Sequence, residues 1–462
     1  MTTANTANTA NTANTAITAI TGIDTAELAV APPPPGPRLP VAVQTLLFST
    51  RRHTWLPKLR RRYGDVVRLR IYPERSVVEI ADVELIRAIF SGSNTVFHAG
   101  EGNVILKPVM GEHSVLLTDE DQHLRARKLL MPAFHGAALR GYRDMVSELA
   151  DAEAARWPTG RPFPTHARMQ ALTLEVILRV VFGVAEGPRL DELRMLLGRL
   201  VDVGPIDILG WHNPKLQRIG PWRRYARGQQ RVDELLYAEI GERKLAGDLA
   251  DRGDVLSRLL LVTVDGERLS DVELRDQLVT LLLAGHETTA TALAWALHEL
   301  ARHPALLDRA IRAADGRTQE DDKYLEAVAK ESMRLHPVIS EVARKLTTDL
   351  VVGGYRIPAG HTVMPSIALV QGDPAHHADP EKFRPDRFLG EGPPTGTWLP
   401  FGGGVRRCLG AGFSLMEATV MLRSVLSRYR IAADRPRPEP AKARHITMVP
   451  ARGARVVAWP RR

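Results

Sequence analysis

One cysteine, Cys408, stands among 462 residues. That scarcity excludes an intramolecular disulfide framework and any multi-thiolate zinc or iron–sulfur cage, and it fits a reducing cytoplasm. Long apolar runs are missing too. No stretch reaches about 18 uninterrupted apolar residues, so no membrane-spanning helix is expected. The start of the chain lacks the basic opening and apolar middle of a secretory signal. Residues 2–16 instead repeat Thr-Ala-Asn without one large apolar side chain. Nothing there offsets the entropy of ordering a backbone, so residues 1–31 are expected to be a disordered low-complexity segment. The proline-rich strap Ala31–Pro40 marks the start of the globule, and one domain is expected over residues 32–462.

Nucleotide-binding patterns are absent as well. No Gly-Lys-Ser/Thr follows a glycine loop and no strand–GxGxxG–helix pattern occurs, which excludes phosphate cradles and flavin or nicotinamide sites. The formal net charge is +9, and Arg430–Arg462 alone carries nine Lys/Arg against two acids. A short basic tail of this kind reads as a solvated face. No stacking motif or basic stripe accompanies it, so no nucleic-acid partner is expected.

What is present is an ordinary globular composition, 44% apolar and 25% charged, with pervasive helical periodicity. Helices are expected over 83–90, 119–131, 141–155, 169–183, 189–202, 228–245, 271–302, 321–335 and 411–429. Residues 66–80 alternate and turn at Pro73-Glu-Arg, the pattern of a β-hairpin. A second strand pair is expected over 351–364, turning at Gly353-Gly354 and Pro358-Ala-Gly360. The fold class is therefore mainly α with a small β-rich side.

Ser270-Asp-Val-Glu273 is a capping box that opens the longest helix, and His303-Pro304 stops it. Its middle reads Leu281-Leu-Leu-Ala-Gly-His-Glu-Thr-Thr-Ala290, a carboxylate and two hydroxyls inside an otherwise apolar run. Keeping a charge there is costly, whereas Gly285 lets something approach the backbone and the hydroxyls can open the helix to a water. From this segment alone a harmless polar surface turn is an equal alternative. A zinc protease is excluded, because Ala290 stands where the second histidine of H-E-x-x-H belongs.

The lone cysteine lies in Trp398-Leu-Pro-Phe-Gly-Gly-Gly-Val-Arg-Arg-Cys-Leu-Gly-Ala-Gly412, just before an apolar-periodic helix. Backbone N–H groups and the helix dipole would stabilise its thiolate. The pattern Phe401-x-x-Gly404-x-Arg406-x-Cys408-x-Gly410 resembles the haem-binding loop of the cytochrome P450 family at every fixed position. Ala284-Gly285-x-Glu287-Thr288-Thr289 resembles that family's oxygen-activating segment, Glu331-Ser-Met-Arg334 its E-x-x-R pair, and Phe383-Arg-Pro-Asp-Arg-Phe388 its P-x-R-F segment. Order and spacing agree over about residues 32–460. The overall look is of a soluble bacterial, actinobacterial member.

The resemblance implies a single-domain haem-thiolate fold with haem b as cofactor and Cys408 as the proximal iron ligand. Phe401 would pack near the sulfur. His123, Arg127, Arg344 and Arg406 would meet the haem propionates, and Gly285 would lie against the cofactor. At about 100° per residue His123 and Arg127 share one helix face, leaving Arg125 and Lys128 on the outer surface. Glu331, Arg334 and Arg387 would form a buried structural triad. Thr288 would act on the distal side with Glu287 relaying protons to it. The implied activity is a monooxygenase that inserts one oxygen atom of O2 into a lipophilic small molecule. Electrons would come from a ferredoxin-type partner with its reductase, steered by Arg125, Lys128 and Arg407. A monomer is expected. Alternatives are a haem-thiolate isomerase, dehydratase or peroxygenase, and a non-catalytic haem-based sensor or docking protein. The pocket is expected to draw on residues 97–117, Leu200–Trp211, the helix face near Leu282, and 338–343, with Glu341 as a polar anchor.

Overall fold

The computed structural model describes residues 28, 30–74, 76–183, 187–200, 220–263, 266–444 and 446–461. The expected disordered segment and the 201–211 part of the expected pocket lie outside them, the former except for its last few residues. Helices dominate. Those used below are α1 (Val41–Tyr63), α2 (Glu120–Leu130), α3 (Thr165–Phe182), α4 (Asp271–Arg302), α5 (Gln319–Leu335) and α6 (Ala411–Arg428).

The capping box forms as expected, with Ser270 and Glu273 each bonding the other's backbone. From there α4 runs 32 residues, about 48 Å at 1.5 Å per residue. Most of its length is buried against α3, α5 and α6 in one continuous apolar core. Pro304 ends α4 and starts a new helix, Pro304–Asp315, which the sequence reading did not place. A proline at the first helical position sacrifices only an N–H that has no intrahelical partner. Helix α1 was not expected either. Pro57 lies inside it and Arg51 breaks its dihedrals, so its apolar period is interrupted.

The β side is built on a five-stranded sheet in the order β1 (Val66–Leu69), β2 (Val77–Ile80), β8 (Thr362–Pro365), β5 (Arg344–Leu346), β3 (Phe97–His98). The expected hairpin is β1–β2, with Val66 opposite Ile80. The expected strand pair over 351–364 is instead three strands. Here β6 (Leu350–Val352) and β7 (Tyr355–Ile357) form a hairpin, while β8 joins the large sheet, parallel to β2. Strand β4 (Phe163–Pro164) pairs with β12 (Arg455–Pro460), which pairs with β9 (Tyr429–Ala433), and β10 (Ala441–Arg444) pairs with β11 (Thr447–Pro450).

That C-terminal β layer orders the backbone of the basic tail, while Arg430, Arg437, Lys442 and Arg452 stay exposed, as a solvated face requires. Three of its cations pair with acids: Arg430 with Asp308 (2.6 Å), Arg452 with Asp434 (2.9 Å) and Arg461 with Asp315. Alternation along β12 buries Val456 and Ala458, which a purely charge-based reading overlooks.

Two groups of charges are buried in the frame. Arg334 on α5 donates to Glu331 through Nε (2.7 Å) and Nη2 (2.9 Å), and to the Gln371 carbonyl (2.8 Å). Arg387 approaches the same carboxylate at 3.4 Å, and Arg384 N–H donates to it at 2.9 Å. The expected triad therefore forms, and it binds α5 to the segments before the cysteine loop. The second group was not expected as such. Glu79 of β2 and Glu341 are both buried, with Arg52 of α1 3.8 Å from Glu341. Glu341 thus belongs to the packing of α1 on the sheet and not to a substrate pocket. Burial pushes both carboxyls up, and the neighbouring Glu341 pushes Glu79 further, with Arg52 opposing.

Removing one partner of a buried pair typically costs about 3–5 kcal/mol. Arg334→Ala should therefore lower the melting temperature sharply and yield haem-poor protein, as measured by thermal denaturation and haem content. The Glu79 carboxyl holds its proton more tightly in the folded than in the unfolded chain. Its contribution is therefore full at pH values below the ordinary carboxylate range and is lost as pH rises toward the elevated folded value. Glu79→Gln should be more stable than the parent at pH 8, and the advantage should shrink toward pH 4.5 in melting curves.

Candidate functional site

The glycines of the cysteine loop are required by contact. Gly402 and Gly404 have φ of +63° and +62°. A Cβ on Gly404 would stand 1.8 Å from the Phe90 carbonyl oxygen, and one on Gly403 2.5 Å from the Phe90 ring. The loop is thereby pressed onto the helix Val83–Ser91. Cys408 N–H donates to the Phe401 carbonyl at 2.9 Å, closing the turn. The Phe401 ring meets Trp398 edge-on at 5.7 Å and packs on a small apolar cluster with Ala292, Met333 and Val338.

Cys408 is exposed, yet burial pushes its thiol up, opposed by a Gly410 N–H hydrogen bond and by Arg127 and Arg407. A sulfur both accessible and surrounded by protein faces an internal opening. Helix α4 is uninterrupted but unevenly buried over its middle turns. Leu282 (0%), His286 (2%) and Glu287 (5%) are buried, whereas Ala284 between them is exposed and Thr288 is half-buried. Helices α4 and α6 touch beside this turn, where Thr289 and Ser414 hydroxyls lie 3.1 Å apart.

Cations gather on another side of the cysteine. His123 and Arg127 do share a face of α2, His123 being buried and Arg127 half-buried. Arg344 is buried at the start of β5, its guanidinium over the Phe90 ring at 5.6 Å and donating to the Ala343 carbonyl at 2.8 Å. Arg406 donates to the Thr118 carbonyl (2.7 Å) and pairs with Asp119. Burial brings Arg344 and Arg406 down to about 10, with Arg406 repelling Arg344 and Arg127 repelling Arg406, and brings His123 down to about 3. His123 Nδ1 is buried with no hydrogen-bond partner among the described residues. One carboxylate among three guanidinium groups and an imidazole is too little negative charge for buried cations. A group bearing two carboxylates fits this cluster, and a thiolate-ligated iron fits Cys408. The residues present therefore fit haem.

The distal pair is arranged asymmetrically. Thr288 Oγ1 donates to the Ala284 carbonyl, one helical turn back, at 2.8 Å. Glu287 points the other way. It accepts from Gln170 of α3, lies 3.8 Å from His166 Nε2, and meets Arg444 of β10 at 3.4 Å. Burial, with Arg444 nearby, brings His166 down to about 4, so the ring is neutral at pH 7.

Several expectations are corrected here. Space for a side chain at Gly285 is taken by Ile177 Cδ1 of α3 at 2.9 Å, so that glycine lets α4 pack closely on α3. Leu282 is fully buried in the core, against which Leu281 and Leu283 also pack, so the more open residues of α4 at this point are Ala284 and Thr288. Arg125 is no free steering charge. It binds Glu273 (2.7 Å) and Glu267 (3.1 Å), anchoring α2 to the start of α4. Lys128 and Arg407 are exposed as expected. Val338 belongs to the small cluster under Phe401, while Ile339 and Val342 pack against the sheet-side core. The sequence reading missed Asp119, Gln170, His166 and Arg444, whose partners are set only by tertiary placement. It also missed Glu417 of α6, a buried carboxyl beside Thr289 that burial pushes well up.

Comparison with known proteins agrees with this geometry. The family model described as Cytochrome P450 matches residues 32–456. A Mycobacterium tuberculosis protein named "Putative cytochrome P450 135A1" is 48% identical over 432 residues, covering 93% of this chain and 96% of its own. A Mycobacterium bovis protein named "Putative cytochrome P450 135B1" is 44% identical, covering 92% and 90%. Among solved structures, "Crystal structure of cytochrome P450DA heme domain" aligns with a TM-score of 0.82 at 25% identity, covering 94% of this chain and 99% of that one. "Retinoic acid bound cyanobacterial CYP120A1" aligns at 0.83 and 23% identity, covering 93% and 100%, a likeness of fold. The chain belongs to the cytochrome P450 family, an oxidoreductase family of haem-dependent monooxygenases, and its cofactor is haem b.

Proposed function

We propose that this chain inserts one oxygen atom of O2 into a lipophilic small molecule, with electrons delivered by a ferredoxin and its reductase. The observation that carries the reading is the middle of α4, where a half-buried hydroxyl and a buried carboxylate stand side by side in sequence beside the cysteine-bearing elements. Haem held by Cys408 supplies dioxygen chemistry, the thiolate's electron donation favouring O–O cleavage.

The chain's own residues do the rest. His123, Arg127, Arg344 and Arg406 bind and orient the two propionates, which supply the negative charge that their burial demands. The Gly410 N–H withdraws electron density from Cys408 Sγ and so tunes its donation. Thr288 Oγ1 has a carbonyl partner it can exchange, so it can hold a water and pass a proton into the opening. Glu287 receives protons from the Arg444 side, where the Arg444 side chain is 23% exposed, and returns to its Gln170 contact afterwards. Arg407 and Lys128, exposed near Cys408, draw an acidic redox protein to that face. Ala284, exposed one turn before Thr288, gives this face of α4 an apolar surface, which suits a lipophilic substrate.

Optical titration of the haem-loaded protein against a panel of lipophilic compounds tests the reading. A thiolate-haem spectrum that turns from low to high spin with one compound class is the expected result. Absence of a thiolate-haem spectrum in folded protein overturns it. Thr288→Ala should keep haem and ligand binding but release hydrogen peroxide in place of product, lowering product per reductant several-fold in a coupled assay.

A further inference from the structure

One histidine lies just outside the cation cluster, in contacts that the catalytic reading does not use. His98 ends β3, where sheet pairing sets it opposite Lys345 of β5, the residue after Arg344. Its half-buried ring meets a carboxylate at each nitrogen. Nδ1 lies 2.8 Å from Glu101 Oε1, and Nε2 lies 2.8 Å from Glu120 Oε1. A neutral imidazole carries a single N–H and can donate to only one of these oxygens. Its other nitrogen would then press a lone pair against a carboxylate. The two contacts together require the imidazolium.

Backbone and charge both support that state. Glu120 reaches the ring from a left-handed backbone, φ +47°, a conformation that a residue with a side chain keeps only when its contacts hold it there. Burial opposes a charge on the ring, but Glu101, Glu120 and Asp119 outweigh it, so His98 holds its proton above the ordinary imidazole value of 6.5.

Asp119 links this ring to the haem site. Its Oδ2 lies 3.9 Å from His98 Nδ1, while its Oδ1 pairs with Arg406. The Gly100 and Glu101 N–H groups also donate to it and fix it in place. Lys345 Nζ stands 3.7 Å from Glu101 Oε2. Among the described residues, the charged groups around His98 are therefore Glu101, Asp119 and Glu120 against Lys345 and Arg406, with buried Arg344 acting on Arg406 and Asp119. With its proton, His98 brings this outer group to three anions and three cations. Without it, one negative charge is left over beside the cations assigned to the propionates. That charge opposes both the propionates and the electron that haem reduction adds.

We propose that His98 is a positioning residue whose proton keeps Arg406 available to a haem propionate and so sets the pH range in which the haem is readily reduced. This role rests on the reading that places Arg406 at a propionate. The proton leaves to solvent past the exposed Glu101 and Glu120, and Asp119 then turns wholly to Arg406. The electron still comes from the ferredoxin, and only the reduction equilibrium changes.

A spectroelectrochemical titration of the haem-loaded full-length protein, from about pH 6 to 9, tests the role. Across the His98 transition the ferrous-to-ferric ratio at fixed potential should fall about threefold with rising pH, a lowering of about 28 mV for one electron. In His98→Gln the step should vanish and the potential should stay at the parent's alkaline level. In His98→Lys the step should also vanish, but at the parent's acid level. Haem transfer to apomyoglobin should follow the same order, fastest for His98→Gln and for the parent at high pH. A merely structural role would weaken both variants without separating their potentials. A flat parent profile overturns the proposal, as does a step that survives in either variant or a common potential for the two. Should His98→Gln fail to hold haem, His98→Lys alone decides, by the presence or absence of its step. An intact thiolate-haem spectrum without a step overturns only the role of His98. A folded parent lacking that spectrum overturns the haem-site reading along with it.

Discussion

Buried positive charge around one cysteine is the constraint on which the rest of this structure depends. Arg406 depresses Arg344, Arg127 depresses Arg406, and His123 is neutral beside them. Asp119 is the carboxylate that meets them, and its oxygens also accept from the Gly100 and Glu101 N–H groups at 2.8 and 2.9 Å. Desolvated cations in this ratio repel unless an anion completes the set. The fold must therefore bring the start of β5, the α2 face and the cysteine loop to the same dianionic group. Each segment is held by independent means. Glycine contacts against Phe90 hold the loop, Arg125 ties α2 to α4, and sheet pairing holds Arg344 opposite Val363. Haem binding and folding are consequently coupled: the cofactor contributes the charge that the protein lacks.

Much of the candidate site was legible because its motifs are local in sequence. Two positive-φ glycines flanking Gly403 can be read from a dozen residues, as can a capping box or a carboxylate–hydroxyl pair inside a helix. The same holds for Glu331 and Arg334, three apart on one helix turn. What could not be read are relations set across the chain. Arg444 and Glu287 are separated by 157 positions, Gln170 and Glu287 by 117. No spacing rule reaches that far. Gly285 shows a subtler failure. Its bareness was attributed correctly to close approach, but the approaching group is Ile177, and only tertiary packing names it.

Periodicity failed where the backbone itself is irregular. In α1 an internal proline and the distorted Arg51 shift the phase of the apolar positions, so a helix of 23 residues escaped. Conversely, the basic C-terminal region was judged by charge although it alternates. Arg430 and Arg461 pair with acids on a neighbouring helix, and its apolar alternates enter the core. Charge counts are reliable for composition and unreliable for surface fields, because pairing is a property of the fold.

The same C-terminal layer joins the frame to the chemistry. Strand β10 packs near α1 and carries Arg444 to the carboxylate of Glu287. Glu287 is thereby held away from the opening by a guanidinium that is itself partly open to water, while its neighbour Thr288 faces inward. A carboxylate so placed can exchange protons with solvent on one side without admitting bulk water on the other. The neutral His166 ring, bonded to Thr291 at 3.0 Å, closes the space behind it. The arrangement separates proton supply from substrate access, which an apolar reaction chamber needs if water is to enter only as a proton carrier.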